Sequence, residues 1–328
     1  MSGIEGKPTR KPITCAPVIE PCRDAQQLRD YIETHWRAGH VLAQDEAMFR
    51  FTYMTPFVDR NQFPNGISVL GAYDNAGNMQ GFLGAIIAPY PRPRSFWLAL
   101  WHVLPELKGT GTGGALLREM QTLAVGDGFD AQAANTGWIG TFGAGPEALP
   151  VYLTRGYCAR AGRRWVFDPS TNEASSIPSI QCESAPSENA PSPEWFAHRY
   201  INHPSFDYET TPNAVFRTET NSWGRVTHAC WLGANWESDV KRVYERESAI
   251  AQTNGQSYLL DAWSFTCPGR GWSLAPKELP SLFHPVDARG NTTYAVGFPF
   301  IPSTIHKGDC DQDRPNLVQQ LREINSAA

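Results

Sequence analysis

The stretch LPELKGTGTGGALLREM, Leu104 to Met120, sets four glycines within the six residues Gly109 to Gly114, directly after Lys108, and runs straight into helical apolar spacing. Bare backbone at a helix start suits an anion. Glycines let amide N–H groups approach phosphate oxygens, and the helix adds its positive end. Two cofactor loops share this look. Written as Gly109-x-Gly111-x-x-Gly114, the stretch satisfies the dinucleotide fingerprint G-x-G-x-x-G, with Asp127 and Asp130 as candidate ribose-binding acids. That fingerprint belongs in the tight turn directly after the first strand of a parallel unit. Here Pro105-Glu106-Leu107-Lys108 intervene, and the elements before them read as an antiparallel hairpin. The P-loop is excluded more simply, because no G-x-x-x-x-G-K-[ST] occurs.

Working outward, SFWLALWHVLP before the loop reads as a strand apolar on both faces, which predicts a central position in a sheet. Upstream, ISVLGAYD and MQGFLGAIIAPY flank the turn residues NAGN and predict a hairpin. Asp24 to Arg37 has helical apolar spacing, with Leu28, Tyr31, Ile32 and Trp36 on one side, and a second short helix is expected around Gln44 to Tyr53. Downstream come a helix from Thr112 to about Val125, a short strand at DAQAANTGW, a short helix in PEALPVYLTRGY ended by Gly156, and a strand at RRWVFDP. From Ser170 to Pro193 the chain turns Ser- and Pro-rich, which reads as a linker. Beyond it NAVFRTE-TNSWG-RVTHACWLGA predicts a hairpin, ESDVKRVYERESAIAQTNG an amphipathic helix and SYLLDAWSF a strand. Hairpin, helix and strand thus repeat, without a second glycine loop, which suggests a duplicated architecture.

Length and composition bound the rest. A chain of 328 residues fits one large domain or two medium ones. A formal charge of −5 offers no basic footprint for nucleic acid, and no apolar run approaches the length needed for membrane insertion. MSGIEGKPTRKPITC is polar, lacks the apolar core of a secretory signal and is expected to be a loose leader. Seven scattered cysteines, with no C-x-x-C and no Cys/His pair at zinc spacing, suggest reduced thiols in a cytoplasmic protein that holds no metal. Eleven tryptophans are many, and their commoner job is filling cores.

Written as Lys108-x-x-Gly111-x-Gly113, the loop resembles the pyrophosphate loop of the GCN5-related N-acetyltransferase family, which usually has Gln or Arg where Lys108 stands. VYLTRGY resembles the family's Y-x-x-x-G-[FY] helix end, with Tyr152, Gly156 and Tyr157 in register. GHVLAQDEAMFRFTY, LALWHVLPELKGTG, GTFGAGPEALPVYLTRGY and, in the second half, HRYINHPSFDYE are similar to segments of the two-domain acyltransferases that modify amino-sugar nucleotides for surface polysaccharides such as O-antigen and lipopolysaccharide. The long Ser/Pro linker departs from that pattern. The resemblance implies an α/β (α+β) fold of tandem acetyltransferase-like domains, each a mixed, mostly antiparallel twisted sheet flanked by helices. The expected division is a leader at 1–22, an acyl-CoA-binding domain at 23–169, a linker at 170–193 and a degenerate domain at 194–328 that contributes to the acceptor site. It implies acetyl-CoA or another acyl-CoA as co-substrate and a nucleotide-linked amino sugar as acceptor, and leaves a homodimer open.

Within that resemblance, Lys108, Gly109, Thr110, Gly111, Thr112, Gly113 and Gly114 hold the pyrophosphate, and a splayed strand end at Val103-Leu104 points a backbone N–H at the thioester carbonyl. Asn135 binds the pantetheine arm or merely caps a turn. Tyr152 hydrogen-bonds or protonates the departing thiolate, against the plainer reading of a core aromatic. His102, on the strand leading to the loop, is the candidate base, against a hydrogen-bonded structural histidine. His40, Asp45 and Glu46 fall in the acceptor-side segment as base or sugar contacts, or as ordinary helix-end residues. Arg199 and His203 are expected against the acceptor's phosphates, with Arg199 equally readable as an internal ion-pair partner. Two alternatives remain. One is an acetyltransferase for a protein or other small amine. The other is a dinucleotide-binding oxidoreductase or a non-enzymatic binding protein.

Overall fold

The computed structural model describes residues 16–126, 137–145, 147–171, 191–220, 223–276, 292–302, 305 and 317–319. The first half opens with β1 (Val18–Pro21), α1 (Ala25–Tyr31), a π-helical turn (Ile32–Trp36), α2 (Val41–Gln44) and α3 (Glu46–Tyr53). The hairpin β2 (Val69–Tyr73) and β3 (Met79–Ala88) follows, then β4 (Arg94–Val103), α4 (Thr112–Val125), β5 (Gly137–Ala144), α5 (Leu149–Thr154) and β6 (Cys158–Phe167). The second half has α6 (Pro193–Phe196), β7 (Glu209–Thr210), the hairpin β8 (Ala214–Thr220) and β9 (Gly224–Leu232), α7 (Glu237–Thr253), β10 (Ser257–Ser264), β11 (Trp272–Leu274) and β12 (Thr292–Phe298). The expected sequence of hairpin, helix and strand is present in each half. The expected strand at DAQAANTGW differs: residues 127–136 lie outside the described set, and the strand that is seen, Gly137–Ala144, continues through GTFGA instead. Most of the expected linker, 172–190, also lies outside that set.

All strands join one mixed sheet in the order β1-β2-β3-β4-β5-β12-β6-β10-β9-β8-β7, with β11 paired to β6. Neighbours are antiparallel except β4/β5 and β9/β10, the two pairs bridged by α4 and α7. The doubly apolar β4 lies between β3 and β5, as its composition requires. β12 comes from the second half yet pairs with β5 on one side and β6 on the other. Gly140 makes that approach possible: a Cβ there would lie 2.3 Å from the Val296 carbonyl and 2.5 Å from the Trp138 ring.

Each face of the sheet is packed differently. Leu28, Tyr31, Ile32, Phe49 and Phe82 form a core between α1–α3 and the first-half sheet. Leu116, Leu117 and Met120 of α4 pack on the opposite face with Leu98, Ile139, Tyr152 and Tyr157. In the second half α7 covers Phe216, Ala229, Leu260 and Trp165. Strand alternation sends Arg217, His228, Asp261 and Arg164 to the other face. There Asp261 accepts from Arg164 at 2.7 Å and contacts His228 Nδ1 at 2.6 Å, while Arg217 meets Glu219 at 2.6 Å, all of them buried.

Asp261 contacts both Arg164 and His228, so Asp261→Ala removes the carboxylate of a buried ion pair. We expect a loss of about 3–5 kcal/mol in urea unfolding, the usual effect of removing one member of a buried pair.

Candidate functional site

Parallel pairing between β4 and β5 runs only from Arg94↔Gly137 to Trp97↔Gly140, although both strands continue. Beyond that point Thr141 reaches across by its hydroxyl to the Leu98 carbonyl at 2.9 Å, and the strand edges part. The end of β4 past Trp97 therefore has no ladder partner on its β5 side. The Leu104 N–H donates to the Gln80 carbonyl at 2.9 Å, so that residue belongs to the hydrogen-bonded set facing β3. Antiparallel alternation then turns the N–H of Val103, opposite Gly81, away from β3 and toward the β5 side. Of the pair expected from the sequence, Leu104 uses its amide within the sheet and Val103 turns its amide away from β3.

α4 begins at the same end. Gly109 and Gly111 adopt φ of +78° and +93°, a region costly for residues with a Cβ, and Gly111 is the N-cap. No side chain caps α4, and its first turn carries no acidic residue. The amides of Gly113 and Gly114 are thus presented at the positive end of a 14-residue helix. Lys108 is exposed beside them. The Thr110 hydroxyl is used locally, on the Leu107 carbonyl at 2.7 Å and within 2.9 Å of the Thr112 hydroxyl, and bends the loop. Arg155, missed by the sequence reading, lies over this turn: a Cβ on Gly114 would sit 3.1 Å from its guanidinium. A guanidinium over a helix N-terminus opposes the helix dipole, an arrangement that an anion relieves. The only sequence hint was adjacency to Gly156 in the helix-end motif.

Trp101 ties the loop to Tyr152. Its indole lies 3.3 Å from where a Gly113 Cβ would be, and its ring is 5.7 Å from that of Tyr152. Tyr152 is buried at 3% exposure and packs 5.2 Å from Tyr157, whose own ring lies 5.7 Å from Phe298 of β12. The Tyr157 hydroxyl is buried with no hydrogen-bond partner among the described residues, and burial holds its pKa far above the phenol range. An orphaned hydroxyl costs about 1–3 kcal/mol in a closed site.

His102 projects from the other face of β4. Its Nδ1 is 3.0 Å from the Tyr31 hydroxyl, which lies 3.2 Å from the Gln80 carbonyl. Tyr31 has one proton to give. Both contacts are served when that proton goes to Gln80 and Nδ1–H donates to the phenol oxygen, which leaves Nε2 with its lone pair. Burial first, then the positive charges of Lys108 and His35, hold His102 below the ordinary imidazole pKa. His102 is therefore a neutral imidazole near pH 7, able to take a proton.

The remaining sequence candidates are elsewhere engaged. His40 is buried, caps α2 by accepting from the Leu42 N–H at 3.2 Å, and bridges Leu317 through its backbone. Asp45 caps α3 by accepting from the Met48 N–H at 2.9 Å. Glu46 is exposed, 3.9 Å from Arg50 one helical turn on. His203 is buried and closes a turn, its Nδ1 accepting from the Ser205 and Phe206 amides at 3.1 Å. Arg199 is 3% exposed and lies 5.6 Å over the Phe51 ring. Both residues are buried and pack between α3 and the second half. Asn135, Asp127 and Asp130 lie outside the described residues.

No protein-family model matches the sequence, and no curated protein matches it. Among solved structures, a GCN5-related N-acetyltransferase from Anabaena variabilis is similar over 85% of this chain and 72% of its own, at 11% identity and a TM-score of 0.48. One from Kribbella flavida is similar over 71% of this chain and 60% of its own, at 12% identity and a TM-score of 0.43. A glucosamine N-acetyltransferase region of a fungal multi-domain beta-N-acetylglucosaminidase is similar over 87% of this chain, at 13% identity and a TM-score of 0.44, and this chain spans 38% of that protein. Among the described residues, no helix is long and apolar enough to cross a membrane.

In NMR titration, His102 should protonate below the ordinary imidazole value of about 6.5. Lys108→Met removes one of the opposing charges and should raise that midpoint. Because the unfolded chain binds this proton more readily, the associated stability is present above about pH 6.5 and lost as pH falls below it.

Proposed function

We propose that this chain is an acyl-CoA-dependent N-acyltransferase, moving an acetyl group to the amine of a nucleotide-linked amino sugar. The observation that carries the reading is the uncapped, acid-free start of α4, flanked by Lys108 and Arg155, at the end of a strand whose edge is unpaired. A pyrophosphate fits the amides of Gly113 and Gly114, and the opening between β4 and β5 receives the arm that leads to the thioester. The coenzyme supplies the activated acyl group. The chain's residues do the rest.

A neutral amine attacks the acyl carbon, the C–S bond breaks, and one proton passes from the amine nitrogen toward the sulfur. Nε2 of His102 takes the proton from nitrogen. The Val103 N–H faces the opening and can hold the carbonyl oxygen as negative charge grows on it. Tyr152 is the donor for the leaving thiolate. His102 and Tyr152 stand on opposite faces of β4, so the amine approaches from one side as the thiol departs on the other.

Residues 23–169 hold the coenzyme, 170–193 link, and 194–328 shape the acceptor side, in our reading of a cytoplasmic enzyme for surface-polysaccharide precursors. A contrast between the halves supports one coenzyme per chain: α7 starts with Glu237 and Asp239 in its first turn, which repel phosphate where α4 attracts it. Transfer to a protein amine or another small amine is the second reading. A dinucleotide enzyme is the third, and calorimetry with acetyl-CoA against NADH separates it from the others.

Calorimetry should show one coenzyme per chain. A Gly111 Cβ meets nothing within 4 Å, so Gly111→Val adds no clash; its strained φ should lower stability while circular dichroism shows the same fold. It should lose tenfold or more in acetyl-CoA affinity, because the side chain stands in the ligand's space at a strained φ. Unchanged affinity sinks the loop assignment.

Tyr152→Phe should lower kcat about 10- to 100-fold with little change in KM, as for a group used mainly as the thiolate leaves. Tyr157→Phe removes an orphaned hydroxyl, so urea unfolding should show unchanged or raised stability while acetyl-CoA binding weakens. A Tyr157 variant with unchanged binding would show that the orphaned hydroxyl serves no ligand.

A further inference from the structure

All eleven tryptophans lie among the described residues, and Trp36 is the one left exposed, at 42%. Helical spacing from Leu28, Tyr31 and Ile32 directs Trp36 toward the core. The π-helical turn Ile32–Trp36 inserts an extra residue and sets the indole outside instead. Such turns recur at functional positions, because they move a side chain off its expected face.

The platform is held in place from both ends. Before it, the His35 ring packs 4.9 Å from Tyr31, the residue bonded to His102. After it, the Glu33 carboxylate accepts from the Gly39 N–H at 2.9 Å with both oxygens and fixes the turn. The Trp36 ring centre lies 5.4 Å from that of His102, at an angle of 67°. A pinned, exposed indole therefore adjoins the imidazole that takes the proton.

We infer that Trp36 is the stacking platform for the acceptor's ring, and that the acceptor is a cyclic amine of the amino-sugar type rather than a linear amine. The inference rests on the transferase reading above. A six-membered ring laid on the indole presents its C–H face to the negative π surface. Because the indole and the imidazole are in edge contact, an amine carried at the rim of such a ring is delivered beside His102. A linear amine has no flat face to lay down and gains nothing from the indole.

The test compares glucosamine with glycinamide, a linear amine of similar basicity, in wild type, Trp36→Ala and Trp36→Phe. Trp36→Ala should raise KM for glucosamine about tenfold or more while leaving KM for acetyl-CoA and kcat/KM for glycinamide within about twofold. Trp36→Phe keeps a ring and should recover most of the loss. Equal losses on both amines, an unchanged glucosamine KM, or a wild-type preference for glycinamide overturns the inference while the transferase reading stands. A wild type that binds acetyl-CoA yet acylates neither amine, nor a nucleotide-linked glucosamine supplied as a third acceptor, overturns the inference and the amino-sugar reading together. A wild type that does not bind acetyl-CoA ends the transferase reading itself.

Discussion

The early end of β4/β5 pairing is the constraint on which the candidate site depends. Four residue pairs hold the strands together, and past Trp97 and Gly140 they part. Continued pairing would consume the Val103 amide in a ladder and close the space in front of α4. The second half shows that closed alternative. β9 and β10 pair through six residues, from Ser257↔Gly224 to Ala262↔Ala229. One topological step, a strand followed by a helix and a parallel strand, thus yields an opening in one half and a filled sheet in the other.

The two halves also place their charges differently. In the first, a guanidinium lies over a helix start that has no acidic residue in its first turn, an arrangement that an anion relieves. In the second, Arg164, Asp261, His228, Glu219 and Arg217 neutralise one another beneath the sheet, and acidic residues occupy the start of α7. Charge left uncompensated marks a ligand's place, and charge internally compensated marks structure.

Much of the fold was legible because its signals are local. The doubly apolar β4, the Asn-Ala-Gly-Asn hairpin, the glycine run before α4 and the length of α7 each follow from side chains near one another in the chain. The site was legible where backbone alone makes it, at Gly109 to Gly114. Side-chain roles at a distance were not. His40 and Asp45 have the chemistry of a base or sugar contact, and each is bonded to an amide two or three residues on, a local use that spacing does not announce. Arg199 and His203 became packing because Phe51, far away in sequence, lies against both. Arg155 and Tyr31 gained significance only once α4 and β4 were laid beside them. Trp36 was assigned to a core face because no spacing rule reveals a π-helical turn.

β12 carries a consequence for how this chain is made. It lies far downstream in sequence yet fills the position between β5 and β6, where a first half folding alone would have two unsatisfied edges facing each other across a gap. During synthesis the glycine loop, β4 and β5 emerge long before the strand that completes their sheet. The first half must therefore wait with open edges, exposed to mispairing or to a strand from a second copy. Long-range closure of this kind slows folding, since loop entropy is lost before the contacts form. The strand that arrives last also carries Phe298 to Tyr157, so the wall beside Tyr152 is finished only when the second half is. Assembly order would then keep a half-made chain from presenting a complete site.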